Sequence, residues 1–213
     1  MTDHRLDWNR ALRTGTAEAV LCDSKSADQI AAILNTAAEA GKRLLLTRLP
    51  PDVAQGLARD GLDYDPLSLT AVLGGPLPGP LRDGVGIVAA GTSDMGIAAE
   101  AQRTLAFHGV AAPITADVGV AGLWRLLDEV EQLRQHRVLI AIAGMEGALF
   151  SVLTGLVRAP VIAVPAPVGH GVAQGGRLAL DSALGSCAAG VVVVNIGNGF
   201  GAACAALRML GVR

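Results

Sequence analysis

Beyond residue 84, short apolar runs alternate with segments in which apolar residues recur at helical spacing. The runs predict five strands, at Gly84–Ala90, Pro113–Asp117, Val138–Ala143, Val161–Val164 and Val191–Ile196. Each run is followed by a predicted helix, near residues 97–108, 123–133, 148–157, 173–184 and 201–210. Strands that alternate with helices indicate an α/β domain with a parallel, doubly wound sheet and right-handed crossovers.

The first 75 residues have a different pattern. A helix is predicted from about Ala27 to Ala40, capped by the polar segment at residues 23–28, and a short strand at Leu44–Thr47. Pro50 and Pro51 open another short helix. We therefore expect a small N-terminal αβα unit over residues 1–75, a Gly/Pro-rich linker over residues 76–83, and a larger domain over residues 84–213.

Composition narrows the class of protein. Half of the residues are apolar but only 3% are aromatic, so the core must consist mainly of Ala, Val, Leu and Ile. A net charge of −2 argues against a nucleic-acid partner. No uninterrupted apolar run could span a bilayer, and the N-terminus does not resemble a signal segment. The three cysteines lack zinc spacing, so we expect a cytoplasmic protein with reduced thiols and no membrane partner.

Small and polar residues follow each predicted strand. The loops occupy residues 90–96, 117–122, 144–147, 165–171 and 195–201. None contains a complete dinucleotide or P-loop motif. Because the carboxyl ends of parallel strands meet at one rim, the loops together could offer backbone N–H groups to a phosphorylated ligand.

Glu146 is the most conspicuous residue of this rim. It lies in Gly144-Met-Glu-Gly147, directly after the apolar run Val138–Ala143, and is the only charge between Val138 and Val157. It is either a functional carboxylate or a first-turn residue that favours the helix dipole.

Other candidates have two interpretations each. Ser93 and Asp94 could cap a helix, or could bind a phosphate and a sugar hydroxyl. Asp117 is a cap or a site carboxylate, and His170 is a solvated loop residue or a functional one. Cys187, in the loop Gly185–Gly190, is a buried small side chain or a nucleophile, and its spacing does not decide between them.

Six segments together carry a family resemblance: Ala90–Asp94, Asp117–Gly122, Ala143–Ala148, Val161–Pro165, Ser186–Cys187 and Val194–Ala202. They resemble LarB, the carboxylase-hydrolase of nickel-pincer nucleotide cofactor synthesis. The C-terminal domain of that family is similar to the PurE class of aminoimidazole ribonucleotide carboxylases and mutases, which implies a flavodoxin-like fold. The resemblance covers about residues 84–210 and extends more weakly to residues 13–18 and 45–48.

The resemblance implies an enzyme that takes nicotinic acid adenine dinucleotide, carboxylates C5 of its pyridinium ring and hydrolyses the phosphoanhydride to release AMP. Cys187 matches the family's cysteine, whose thiolate adds to the ring, and Glu146 matches its glutamate. Carbon dioxide or bicarbonate would be the co-substrate, and a divalent cation such as Mg²⁺ would assist the hydrolysis.

The loops are expected to bind the dinucleotide. The expected substrate-binding residues are Gly91, Thr92, Ser93, Asp94, Asp117, Gly144, Met145, Gly147, Gly169, His170, Asn195, Asn198 and Gly199.

Three positions depart from the family pattern. Gly197 stands where an acid is expected, His170 where tyrosine is expected, and Trp124 where histidine is expected. The acid replaced by Gly197 could have been a metal ligand, so its loss affects the expected metal binding. Two alternatives therefore stand beside the LarB-like reaction: a PurE-like aminoimidazole ribonucleotide carboxylase or mutase, and a catalytically weak nucleotide-binding paralogue.

The position of Cys187 also predicts assembly. It precedes the last strand, whereas Glu146 follows a strand, so the two side chains are expected near opposite ends of the sheet. PurE-like proteins form octamers with sites near subunit boundaries. We therefore expect a homo-oligomer, in the form of an octamer, in which Cys187 enters the site of an adjacent chain.

Overall fold

The computed structural model describes residues 4–211, which form two compact units. The first unit ends at Pro80 and the second begins at Leu81. Among the described residues, no helix is both long and apolar enough to cross a membrane.

The N-terminal unit is a four-stranded mixed sheet with helices. Its elements are α1 (Arg10–Thr14), β1 (Ala19–Leu21), α2 (Ala27–Glu39), β2 (Leu44–Thr47), α3 (Pro51–Gly56), β3 (Leu62–Asp65) and β4 (Thr70–Leu73). The strand order is β1-β2-β4-β3, with β1 parallel to β2 and the other pairs antiparallel. Buried Ile30, Leu34, Leu44 and Leu46 lie in its core.

The predicted αβα unit was too small. The helix α2, the strand β2 and the helix α3 are present where the pattern predicted them, and Ser26 and Gln29 form a capping box at the start of α2. Three further strands and α1 were missed. Strands of three or four residues are too short to establish a period, and β3, with the sequence Leu-Asp-Tyr-Asp, contains two acids.

Within residues 81–211, five parallel strands alternate with five α-helices. The strands are β5 (Val85–Ala89), β6 (Ile114–Thr115), β7 (Val138–Ala143), β8 (Val161–Pro165) and β9 (Val191–Val193). The helices are α4 (Met95–Phe107), α5 (Leu123–Leu133), α6 (Ala148–Leu156), α7 (Arg177–Leu184) and α8 (Gly199–Met209). This is the predicted α/β architecture, with the order β6-β5-β7-β8-β9 that is typical of flavodoxin-like sheets.

The sheet is covered on both faces. One hydrophobic cluster joins α4 and α8 to one face, through residues such as Leu105 and Leu207. The other face packs against α5, α6 and α7, with Leu126 and Phe150 among the buried side chains. All residues of β7 are buried, which explains its continuous apolar run.

Several predicted boundaries were wrong. Helix α7 begins at Arg177 and not near residue 173, because residues 171–176 form 3₁₀ turns interrupted by Gly175 and Gly176 at positive φ. Strand β9 ends at Val193 and not at Ile196, and β6 contains only Ile114 and Thr115. Both are edge strands, so each forms backbone hydrogen bonds with a neighbouring strand on one side only. Fewer of their residues are therefore held in strand conformation.

Candidate active site

A cavity of about 400 Å³ opens where the strand order reverses. The chain leaves β5 toward β6 on one side, whereas β7 lies on the other side, so the loops after β5 and β7 diverge. We call this the switch-point cavity. Its lining residues are Ala90, Gly91, Ser93, Asp94, Gly119, Val120, Ala121, Ala143, Gly144, Met145, Glu146, Ala148, Leu149 and Val168.

Two glycines let the loops around this cavity pack backbone to backbone. A Cβ atom at Gly119 would lie 2.9 Å from the carbonyl oxygen of Ala90, and one at Gly144 would lie 2.1 Å from that of Val168. Hydrogen bonds reinforce both contacts, because Gly119 N–H donates to Ala90 and Met145 N–H donates to Val168. The loops after β5, β6, β7 and β8 are thereby held as one rim.

Asp94 is the buried carboxyl group of the cavity. Only 4% of its surface is exposed, and its Oδ2 accepts a hydrogen bond from Gly91 N–H at 2.9 Å. The side chain closes the turn before α4 and makes no capping bond to that helix. Burial raises the pKa of Asp94, and the bond from Gly91 opposes this only in part. Such a group can hold a proton at a higher pH than an exposed aspartate.

Glu146 is exposed at the cavity and precedes helix α6. The helix begins at Ala148 with Gly147 as its N-cap residue in the left-handed region, so Glu146 is not a first-turn residue. Met145 also has a positive φ, of 52°, which is uncommon for a side chain other than Gly or Asn. No described residue hydrogen-bonds to the Glu146 carboxylate or pairs with it, and the exposed side chain is part of the cavity lining.

Asp117 lies in a different cavity. Its carboxylate pairs with Arg125 at 2.5 Å, and its backbone has a φ of 59°. This second cavity, of about 450 Å³, lies between β6 and α5 and is also lined by Trp124, Asp128 and Glu129. Trp124 is 67% exposed.

The loop before α8 has structural contacts. Asn198 Oδ1 accepts a hydrogen bond from Gly201 N–H at 2.7 Å and caps α8. A Cβ at Gly199 would lie 2.5 Å from the carbonyl oxygen of Ile97, so this glycine allows close packing of α8 on α4. Buried Glu100 accepts a hydrogen bond from Phe200 N–H at 3.1 Å. The predicted ligand contacts of Asn195, Asn198 and Gly199 thus fall outside the switch-point cavity.

The remaining predicted binding residues also lie outside the cavity lining. Thr92 and His170 are exposed, and Gly169 packs with its Cα against the carbonyl group of Ala173. Gly147 is the N-cap residue of α6 and is not among the lining residues. The residues that the structure brings together are therefore Gly91, Ser93, Asp94, Gly144, Met145 and Glu146.

Sequence reasoning missed part of the lining. Ala90, Gly119, Val120, Ala121 and Val168 belong to the predicted rim loops but were not named as site residues, and Ala143, Ala148 and Leu149 lie outside those loops. They are small or apolar and carry no titratable group, so only their position after predicted strands could have identified them.

Cys187 is exposed in the loop between α7 and β9 and does not line the switch-point cavity. The interpretation as a small buried side chain is therefore wrong. In the sheet register Val191 pairs with Val161, which pairs with Leu139, four residues before the end of β7. Four residues span about 13 Å of strand. The loop therefore joins β9 well below the rim that carries Glu146.

The described residues of one chain do not fit a resident metal ion. Among residues 4–211, no group of three or more His, Cys, Asp or Glu side chains is arranged to hold one. Of the described carboxylates, Asp94 and Glu146 alone line the cavity, and Gly197 supplies no side chain.

Comparison with known proteins finds similarity in both parts of the chain. Residues 1–73 match the LarB/PurE-like N-terminal domain, and residues 84–213 match the AIR carboxylase family. An uncharacterized protein of Methanocaldococcus jannaschii is 36% identical over 208 residues, covering 93% of this chain and 80% of the archaeal protein. A crystal structure of a Treponema denticola PurE2 variant aligns with a TM-score of 0.45 and 26% identity, covering 62% of this chain and 82% of that one.

The LarB/PurE-like N-terminal domain thus precedes the AIR carboxylase domain, and the second match covers more than half of the chain. The chain belongs to the LarB family, with a PurE-like C-terminal domain.

Proposed function

We propose that this protein is a pyridinium-3,5-biscarboxylic acid mononucleotide synthase. Membership of the family supports a carboxylase-type function. The proposal adds that the substrate is nicotinic acid adenine dinucleotide, which is carboxylated at C5 and cleaved to release AMP. The observation that carries it is the unpartnered Glu146 carboxylate in the switch-point cavity, together with an exposed Cys187.

The chemistry requires a nucleophile and a base. A pyridinium ring is electron-poor and does not attack carbon dioxide. Addition of a thiolate to C4 moves an electron pair onto the ring nitrogen and gives a dihydropyridine, whose C5 is nucleophilic. C5 bonds to carbon dioxide, a base removes the C5 proton, and the thiolate leaves with its electron pair as aromaticity returns. Covalent catalysis thus divides one prohibitive step into feasible ones.

Cys187 and Glu146 are the residues proposed for these roles. A general base must accept a proton from the reacting carbon, and the Glu146 carboxylate has no competing partner among the described side chains. Cys187 is exposed, whereas burial raises the pKa of the Cys22 thiol to about 12 and so disfavours the thiolate form there.

Asp94 is proposed to bind substrate. Its raised pKa and its position beside the backbone of Gly91 suit a hydrogen bond to a sugar hydroxyl. Ser93, exposed at the start of the same helix segment, is proposed to contact a phosphate.

Hydrolysis of the phosphoanhydride, the second half of the proposed reaction, is proposed from the resemblance to LarB alone. Mg²⁺ commonly binds one or two carboxylates together with substrate phosphates, so a divalent cation is proposed to accompany the dinucleotide. Treatment with a chelator should then abolish AMP release, and added Mg²⁺ should restore it. AMP release that is unaffected by chelation would contradict this part of the proposal.

The test of the function is direct. The purified protein is incubated with nicotinic acid adenine dinucleotide and ¹³C-bicarbonate. The products are separated, and their masses are measured by mass spectrometry. A labelled carboxyl group on the pyridinium product, with AMP beside it, is expected. Absence of label from the pyridinium product would contradict the proposal.

The match to the AIR carboxylase family favours one alternative, a PurE-like carboxylase or mutase acting on an aminoimidazole ribonucleotide. That reaction needs no nucleophilic cysteine. The same assay with aminoimidazole ribonucleotide, on wild-type protein and on Cys187→Ala, separates the two: activity that survives the substitution favours the alternative.

A further inference from the structure

The loop that carries Cys187 is attached to helix α6. Ser186 Oγ lies 2.7 Å from Ser151 Oγ, in the first turns of that helix. Farther along the loop, a side chain at Gly190 would come within 3.9 Å of Thr154 Cγ2. The loop therefore follows α6 over about one turn before it enters β9.

Ser186 also closes a turn around the cysteine. Its Oγ accepts a hydrogen bond from Ala188 N–H at 3.2 Å, so the bond spans Cys187. A hydroxyl group has one proton and two lone pairs, so Ser186 can accept from Ala188 and donate to Ser151 at the same time. The two bonds fix both neighbours of Cys187 relative to α6.

Helix α6, to which the loop is attached, is itself packed into the core of the domain. Leu149, Phe150 and Leu153 are buried in the core on one side of it, while Ser151 is half-buried. The segment that leads into the same helix carries Glu146. One rigid helix thus orients the proposed base at its N-terminus and the cysteine loop along its side.

We propose that Ser151 is a positioning residue, which holds the Cys187 loop through the hydroxyl of Ser186. Its consequence for turnover rests on the proposed attack by Cys187. Loss of the bond leaves the thiol exposed but less well oriented, and misplacement of a nucleophile by about 1 Å costs up to roughly 100-fold in rate.

The test compares Ser151→Ala with Ser151→Thr and with Ser182→Ala. Threonine keeps the hydroxyl group. Ser182 is a half-buried serine of the neighbouring helix α7, and among residues 4–211 its hydroxyl makes no hydrogen bond to the loop. The first readout is hydrogen–deuterium exchange of peptides that span residues 185–190. Ser151→Ala should speed exchange of this loop about fivefold to tenfold, as expected for one lost hydrogen bond. Ser151→Thr and Ser182→Ala should leave it unchanged.

The second readout is steady-state kinetics. Ser151→Ala should lower kcat by roughly 10- to 100-fold with KM within about twofold, and Ser151→Thr should recover most of kcat. Unchanged exchange in Ser151→Ala overturns the proposal, and so does unchanged kcat in an active enzyme. If wild-type protein does not carboxylate the dinucleotide, the proposed function fails, while the exchange measurement still decides whether Ser151 holds the loop.

Discussion

At the scale of single residues, the proposed chemistry depends on two groups that do not line the same cavity of one chain. Glu146 lines the switch-point cavity, and Cys187 is exposed on a loop beside α6. The sequence placed each of them next to a predicted strand, and their expected position at opposite ends of the sheet stays a prediction. It could not show that Glu146 lacks a partner or that Asp117 is paired with Arg125, because such contacts depend on side chains brought together only by folding.

The first prediction concerns Cys187. Cys187→Ala should abolish carboxylation, since no thiolate is left to add to the ring, whereas the free energy of unfolding should change by no more than about 0.5 kcal/mol at an exposed position. Product formation and thermal unfolding are the measurements. Cys204→Ala, on α8, is the matched control and should remain active. A folded Cys187→Ala protein with full carboxylase activity would remove this residue from the mechanism.

The second prediction concerns Glu146. Glu146→Gln should bind the dinucleotide with near-normal affinity but turn over about 10²–10⁴-fold more slowly, because an amide cannot accept the C5 proton. Calorimetric binding and single-turnover kinetics separate the two effects. If turnover is normal, another group is the base and Glu146 serves only to shape the loop.

The third prediction concerns the pH dependence of stability at Asp94. Burial raises its folded-state pKa, so the stability that the protonated form contributes is present below the ordinary value of 3.8 and is lost as the pH rises through the folded-state value. Asp94→Asn keeps an oxygen to accept the bond from Gly91 N–H and has no charge to bury. The variant should therefore unfold at a higher temperature than wild type at pH 7, with a smaller advantage at pH 4. A difference that is the same at both pH values, or that favours wild type at pH 7, would be inconsistent with a buried carboxyl of raised pKa.

At the scale of elements, continuous apolar runs were the most informative pattern. Strand β7 was predicted with its observed bounds because all six of its residues are buried. Strands β1, β3 and β4 were not predicted. Such short or mixed segments become strands because neighbouring strands pair with them, and their own sequences show no clear alternation of apolar and polar residues. The start of α7 was misplaced because Gly175 and Gly176 adopt left-handed conformations that the apolar pattern does not reveal.

The fourth prediction tests the close packing of the rim. Gly144→Ala would put a methyl group 2.1 Å from the carbonyl oxygen of Val168, so the loops must separate. We expect a loss of about 1–3 kcal/mol in the free energy of unfolding, as for overpacked sites, together with reduced activity because Glu146 moves. Chemical denaturation measures the first effect.

Gly155→Ala, within α6, is the matched control. An added methyl group there would meet nothing within 4 Å, and alanine is favoured over glycine in a helix by roughly 0.5–1 kcal/mol. The control should therefore be more stable than wild type. If Gly144→Ala and Gly155→Ala are equally stable, the close contact between the loops at Gly144 does not contribute to stability, and the prediction is contradicted.

At the scale of the whole molecule, the geometry of one chain favours a shared site. Cys187 lies on a loop beside α6 and does not line the cavity that holds Glu146. The exposed side chains of Leu123, Trp124 and Leu127 on α5 are typical of surfaces that pack against another subunit. We propose a homo-oligomer, in the form of an octamer, in which Cys187 of one chain completes the cavity of a neighbour.

Subunit complementation tests this central claim most directly. Cys187→Ala and Glu146→Gln proteins, each inactive alone, are mixed under conditions that exchange subunits, and carboxylation of nicotinic acid adenine dinucleotide is measured with ¹³C-bicarbonate. If each site takes Glu146 from one chain and Cys187 from another, random mixing in equal amounts should restore activity in about a quarter of the sites. Exchange that is demonstrated by native mass spectrometry and yet restores no activity would contradict the account.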